Sequence, residues 1–384
     1  MPPTPPSLTL PEDGCFVGRI WHPELRGPSL VCLRDGAAID ITTAAAPTMR
    51  DLLELETPAD HVTAITGTRL GDLQQIVDNT LSGTGVHLLA PNDLQAVKAC
   101  SVTFARSMVE RVIEERAAGD PAQSEAIRAQ ISGVIGDSLR NIKAGSDKAA
   151  EVKEALCDMG LWSQYVGVGI GPDAEVFSKA QPMASVCWGA RVGLHPVSAW
   201  NNPEPEIVLA CASTAEVKGA SLGNDVNLRD VEGRSALLLG KAKDNTASCA
   251  IGPFIRLFDD SFGMQDVRHA QLDKVIEELE GYRLDGHSAM TEISRDPLDL
   301  VAQTCGGHHQ YPDGFMLFLG KLFAPTQDRD VPGEGFTHKT GDIVTIRSAK
   351  PGSLRNEVAL SPDFAPWTFG ASHLMRNLAL RGLL

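Results

Sequence analysis

From Trp162 to the C-terminus, short apolar runs alternate with Gly, Pro, Asn and Asp turns, as in Pro205-Glu206-Ile207-Val208-Leu209-Ala210-Cys211. Runs of that length, set between turn residues, are too short for helices and predict strands. Most of the chain is therefore expected to be a β-rich domain with a few helices, in an α+β fold. Residues 1 to about 95 carry a similar texture. Gly14 to Ile20 and Ser29 to Leu33 are strand-like, and Asp35-Gly36 is a hairpin signal after the second run. Pro91-Asn92-Asp93 marks a break, so a small N-terminal β-rich domain (1–95) is expected ahead of a larger one (96–384).

A helical segment interrupts this pattern at about 105–160. Asp120-Pro121-Ala122-Gln123 joins a capping side chain, a proline in the first turn and a glutamine at the third position. Ile127, Ile131, Val134, Ile135 and Leu139 follow at helical spacing. Gly145-Ser146 ends that helix and caps the next, which runs to Gly160. Such a segment either covers an active site or simply packs against the sheet. The stretch from Leu272 to Leu284 reads equally as helix or strand.

Charge and cysteine usage narrow the function classes. Lys and Arg number 34 against 49 Asp and Glu, a net charge of −15. With no basic face, a nucleic-acid partner is not expected. The longest apolar runs are too short to span a bilayer, and the Pro-rich start has no basic n-region or apolar h-region. The eight cysteines are scattered with no CxxC pair, as in reduced thiols of a cytoplasmic protein rather than a zinc site or disulfide scaffold. No HExxH, P-loop or GxSxG pattern occurs. The adjacent His308-His309 pair diverges on helix and strand alike, so at most one could face a site.

The strongest local signal is Glu204-Pro205-Glu206. In an extended segment, side chains two apart share a face, so both carboxylates aim at one point. Like charges that close repel unless a cation lies between them, and hard oxygen ligands suit Mg²⁺, with Mn²⁺ as a substitute. The same pair on a solvated edge strand would need no metal. Nineteen positions on, Asp225 follows in Asn224-Asp225-Val226-Asn227-Leu228-Arg229-Asp230, where a strand, turn and returning strand would bring it back beside the glutamates. Lys243 comes next, nine residues before Gly252-Pro253, and Glu175-Val176-Phe177-Ser178-Lys179 lies upstream.

In that order the motifs resemble the catalytic domain of the fumarylacetoacetate hydrolase superfamily, over roughly residues 95–384. Within it, the segments 224–245, 308–314, 335–339 and 377–384 are most similar to bacterial 2-keto-3-deoxypentonate dehydratases. The resemblance implies a mixed β-sandwich roll, Mg²⁺ held by Glu204, Glu206 and Asp225, and Glu175 and Lys243 flanking a small keto-acid substrate. It also implies a homo-oligomer, dimer or tetramer. Two positions depart from the hydrolases. Those enzymes carry Asn-Tyr-(x)₂-His near the start of the domain, and Ser107 falls where the histidine would. A serine without a base partner does not generate hydroxide at neutral pH, which favours elimination over C–C hydrolysis of a 2,4-diketo acid. Lys321 stands where the family often has threonine, and either meets a substrate carboxylate or points to solvent.

Overall fold

The computed structural model describes residues 7–128, 142–160, 162–278, 281–321, 327–332 and 335–384, without the side chains of 105–107. Its backbone is a large sheet of eleven strands and a second sheet of five. In the large sheet, Thr68–Asp72, Ala37–Asp40, Gly27–Arg34, Phe16–His22, Cys249–Leu257, Val217–Asp225, Pro205–Cys211, Phe315–Phe318, Ala96–Ser101 and Glu175–Ala180 lie side by side in that order. His87–Leu89 also pairs with Phe16–His22. The strands before residue 95 thus extend the sheet that carries the acidic motif, through antiparallel pairing of Phe16–His22 with Cys249–Leu257. The hairpin expected at Asp35-Gly36 is present, with both residues at positive φ.

Both faces of the strand Pro205–Cys211 are covered. Ile207 and Leu209 join the core cluster that also takes Leu272, Ile276, Val344 and Leu354 from the second sheet. Val208 and Ala210 face the other way, into a cluster with Met49, Leu52 and Val62 from the N-terminal helices. A strand buried on both sides reads as a continuous apolar run rather than an alternation, as the sequence has it. The stretch 272–284 resolves as a hairpin, Gln271–Glu277 paired with Arg283–Ala289. Its pairing and the burial along Gln271–Glu277 select the strand reading.

The helical segment contains Ala105–Arg116, helical residues 121–128, Asp147–Asp158 and Gln164–Ile170. Ser146 caps the third, accepting from the Ala149 amide at 3.3 Å. The expected apolar positions Ile131, Val134, Ile135 and Leu139 lie outside the described residues. Met108, Val112, Leu156 and Val166 form a separate small core there. No helix among the described residues is long and apolar enough to cross a membrane. All eight cysteines are free thiols.

Candidate active site

The hairpin of Pro205–Cys211 and Val217–Asp225 is what assembles the acidic cluster. Pro205 pairs with Asn224 and Glu206 with Gly223. Just before the first strand, the Glu204 carbonyl accepts from the Asp225 amide at 3.0 Å. That register sets Asp225 across from the two glutamates. Each of Glu204, Glu206 and Asp225 offers one carboxylate oxygen within 4.8 Å of the others, and all three are buried. Three buried carboxylates gathered on one point make a donor set suited to a hard divalent cation.

The cluster is braced by charged partners. Lys243, at the end of the short helix Leu239–Lys243, pairs with Glu204 Oε2 and lies 3.0 Å from Asp225 Oδ2. Lys321 Nζ is 3.0 Å from Glu204 Oε1, and Arg111 Nη2 is 3.5 Å from the same oxygen. Glu206 Oε2 accepts from the Gly320 amide at 2.7 Å. Lys179, fully buried, places its ammonium 2.9 Å from Asp225 Oδ1 and donates to the Lys243 carbonyl.

These surroundings separate the titration of the glutamates. Burial opposes ionisation of Glu204, but Lys243, Lys321 and Arg111 hold its carboxyl well below the usual range. Glu206 is pushed well above it, by burial and by the charges of Asp225 and Glu204. Neighbouring carboxylates without enough cation between them behave this way. Burial also works against a charged Lys243, yet Asp225, Glu204 and Glu232 raise its pKa and keep it protonated. Glu175, first residue of its strand, is raised by burial and then by Glu232, with Arg111 and Lys243 opposing.

Of the residues singled out in the sequence, Glu204, Glu206, Asp225 and Lys243 meet in one cluster, and Glu175 lies within electrostatic reach of Lys243. Lys321 is 4% exposed and turned onto Glu204, so it does not point to solvent. The Ser107 side chain lies outside the described residues. His308 and His309 are exposed, away from the cluster's contacts. Sequence reasoning missed Arg111, Glu114 and Glu232. Arg111 Nη1 sits 2.5 Å from both Glu114 Oε2 and Glu232 Oε2. Arg229, stacked over Trp200 at 4.2 Å, grips Glu114 at 2.7 Å and Glu110 at 3.0 Å. The available signal was the helical spacing of Glu110, Arg111 and Glu114, which reads as solvated unless a partner helix carries the complementary charges. Arg229 and Glu232, three apart on Arg229–Arg234, supply them.

No family model matches the chain. It is 29% identical over 213 residues to a probable 2-keto-3-deoxyxylonate dehydratase of Haloferax volcanii, covering 56% of this chain and 68% of the relative. To the 2-dehydro-3-deoxy-D-arabinonate dehydratase of Saccharolobus solfataricus it is 28% identical over 181 residues, 47% of this chain and 57% of that one. Among solved structures, it superposes with a TM-score of 0.63 on a 2-keto-3-deoxy-D-arabinonate dehydratase complexed with magnesium and 2,5-dioxopentanoate, at 18% identity over 90% of this chain and 99% of that one. A fumarylacetoacetate hydrolase of Exiguobacterium antarcticum superposes at 0.56, with 14% identity and coverage of 90% and 99%. The chain has the fumarylacetoacetate hydrolase superfamily fold. In this fold the acidic cluster sits where strands of the large sheet meet the helical segment, whose Arg111 reaches the same Glu204 oxygen as Lys321.

Proposed function

We propose that the protein is a metal-dependent hydro-lyase that dehydrates a 2-keto-3-deoxypentonate to 2,5-dioxopentanoate. The observation that carries this reading is the buried Glu204–Glu206–Asp225 set with Lys243 seated against two of its members. The sequence relatives, both dehydratases of this substrate class by name, support it.

Glu204, Glu206 and Asp225 would hold Mg²⁺, or Mn²⁺ in its place, which when bound supplies Lewis acidity to the carboxylate and ketone oxygens of a 2-keto acid. The chain's own groups do the proton work. Glu175 takes the C3 proton, and its raised pKa brings a carboxylate closer to the basicity a neutral-pH general base needs. Lys243, kept protonated by its acidic neighbours, faces the charge that grows on the ketone oxygen as that proton leaves. Lys321 and Arg111 add positive charge on the far side of Glu204, where an anionic substrate benefits from it. Burial of the whole cluster keeps bulk water from competing for these groups.

The test is turnover of 2-keto-3-deoxy-D-pentonate with and without Mg²⁺, followed by trapping of the aldehyde product with a carbonyl reagent. Aldehyde formation that disappears with EDTA and returns with Mg²⁺ is expected. Aldehyde formation unaffected by EDTA would remove the metal from the proposal, and none at all would remove the substrate.

A further inference from the structure

Dehydration needs an acid for the departing hydroxyl as well as a base for the C3 proton. The structure contains an unassigned buried carboxyl within electrostatic reach of the base. Glu232, on Arg229–Arg234, is 1% exposed. Its Oε2 meets Arg111, and its Oε1 has no hydrogen-bond partner among the described residues. Leaving a buried polar oxygen unpaired is costly, so the position calls for a ligand or a role.

Arg111 ties Glu232 to the site, with Nη1 on Glu232 Oε2 and Nη2 3.5 Å from Glu204 Oε1. Glu232 interacts electrostatically with Arg111, Lys243, Glu204 and Glu114, and it is the strongest charged neighbour of Glu175. Arg111 is shared, since Nη1 also serves Glu114 and Nη2 reaches Glu204. Burial works against a charged Glu114, but Arg111, Arg229 and Lys321 bring it down to about 2, so it takes up much of the local positive charge as a carboxylate. Among the described residues, Glu232 has only its share of Arg111 within ion-pair distance. Burial raises its pKa, as it does that of Glu175. Two buried carboxyls that repel each other favour the state in which one holds a proton and the other does not.

Resting on the dehydratase reading above, we propose that Glu232 is the acid that protonates the hydroxyl leaving C4, opposite Glu175 as the base at C3. The C3–H bond breaks, its proton passes to Glu175, and the electron pair forms an enolate. The C4–O bond then breaks as that pair becomes the C3–C4 double bond and the C2 carbonyl re-forms. The departing oxygen takes the proton of Glu232 and leaves as water, and the 5-hydroxy enone left behind tautomerises to 2,5-dioxopentanoate. Glu232 is left as a carboxylate beside Arg111, 2.5 Å away, which holds the new charge. Return of the proton from Glu175 to Glu232 resets the pair.

The test uses the full-length Mg²⁺-loaded protein and Glu232→Gln. Three results are expected together. Dehydration falls by about 10²–10⁴-fold in kcat, the range for loss of a general acid. Exchange of the C3 proton for deuterium from D₂O persists, because the base is untouched. A 4-deoxy-4-fluoro analogue still eliminates at close to the wild-type rate, because fluoride leaves without being protonated. Glu175→Gln, in contrast, loses C3 exchange. Dehydration within about threefold of wild type in Glu232→Gln, or equal losses on the hydroxy and fluoro substrates, would overturn the assignment. Should Glu232→Gln fail to fold, Glu232→Asp, which keeps an acid, must retain C3 exchange and part of the hydroxyl elimination. Failure of the wild type to turn over either substrate would instead overturn the dehydratase reading itself.

Discussion

Lys321 Nζ lies 3.0 Å from Glu204 Oε1 while Lys243 holds Oε2, so each oxygen of this buried glutamate carries a lysine. Removing Lys321 leaves a buried carboxylate with one strong partner fewer, and charge-assisted contacts of this kind are each worth about 1.5–3 kcal/mol. Lys321→Thr is therefore expected to lower stability by roughly that amount in urea unfolding. It should also reduce kcat/KM by at least about tenfold, the kinetic equivalent of about 1.4 kcal/mol. Unchanged stability and turnover would mean that the lysine is a bystander.

On the proposed reading, a metal held by the acidic cluster is a folding ligand as well as a catalytic one. A cation that binds only the folded state adds about 2.7 kcal/mol at a hundred times its Kd. Saturating Mg²⁺ is expected to raise the wild-type unfolding temperature, and Glu206→Gln to abolish most of that rise. The Gly320 amide can still donate to the glutamine oxygen, which keeps the variant folded. A full Mg²⁺-dependent rise in Glu206→Gln would take Glu206 out of the ligand set.

Gly320 holds Glu206 in place through its backbone, at φ +100°. A Cβ there would fall 2.0 Å from Thr103 Oγ1. Gly320→Ala must move either the strand end or Thr103, whose hydroxyl donates to the Leu319 carbonyl at 2.7 Å. Left-handed strain alone costs about 1–3 kcal/mol. The variant is expected to lose that stability and to bind Mg²⁺ more weakly by calorimetry. Wild-type affinity would show that the Gly320 contact does not orient Glu206.

The acidic motif was legible because its logic is local. Two glutamates share one strand face, and a hairpin of ordinary length returns Asp225 to them. The resemblance added Lys243 and Glu175, whose spacing alone implies nothing. The charged layer behind the motif was not legible. Arg111, Glu114, Arg229 and Glu232 are all buried, yet each sits in a helix whose apolar periodicity says nothing about charged positions. Only the packing of Ala105–Arg116 against Arg229–Arg234 pairs them. Residues 1–95 show the same limit of local reading. Local signals gave their strands correctly, but register with Cys249–Leu257, more than two hundred residues away, decides which sheet they join.

Acid should destabilise the protein through Asp342, among other groups. Burial raises its pKa, but hydrogen bonds from Arg329 and His338 overcome that and hold it far below an ordinary aspartate. The unfolded chain therefore takes up the proton first as pH falls below about 4, while the folded protein resists. Stability from this residue is complete above that pH and is lost as pH drops further. Asp342→Asn is expected to be less stable than wild type at pH 7 and to show a shallower decline between about pH 4 and 3 in urea unfolding. Parallel declines would mean that Asp342 is not specially held.

The most direct measurement is NMR of 2-keto-3-deoxy-D-pentonate incubated with the Mg²⁺-loaded protein, beside a parallel incubation with a 2,4-diketo acid. Elimination predicts loss of the C4 carbinol proton, appearance of an aldehyde signal and a product lighter by one water, with the diketo acid unchanged. Cleavage of the diketo acid to pyruvate, with the sugar acid untouched, would contradict elimination and make the site a hydrolase.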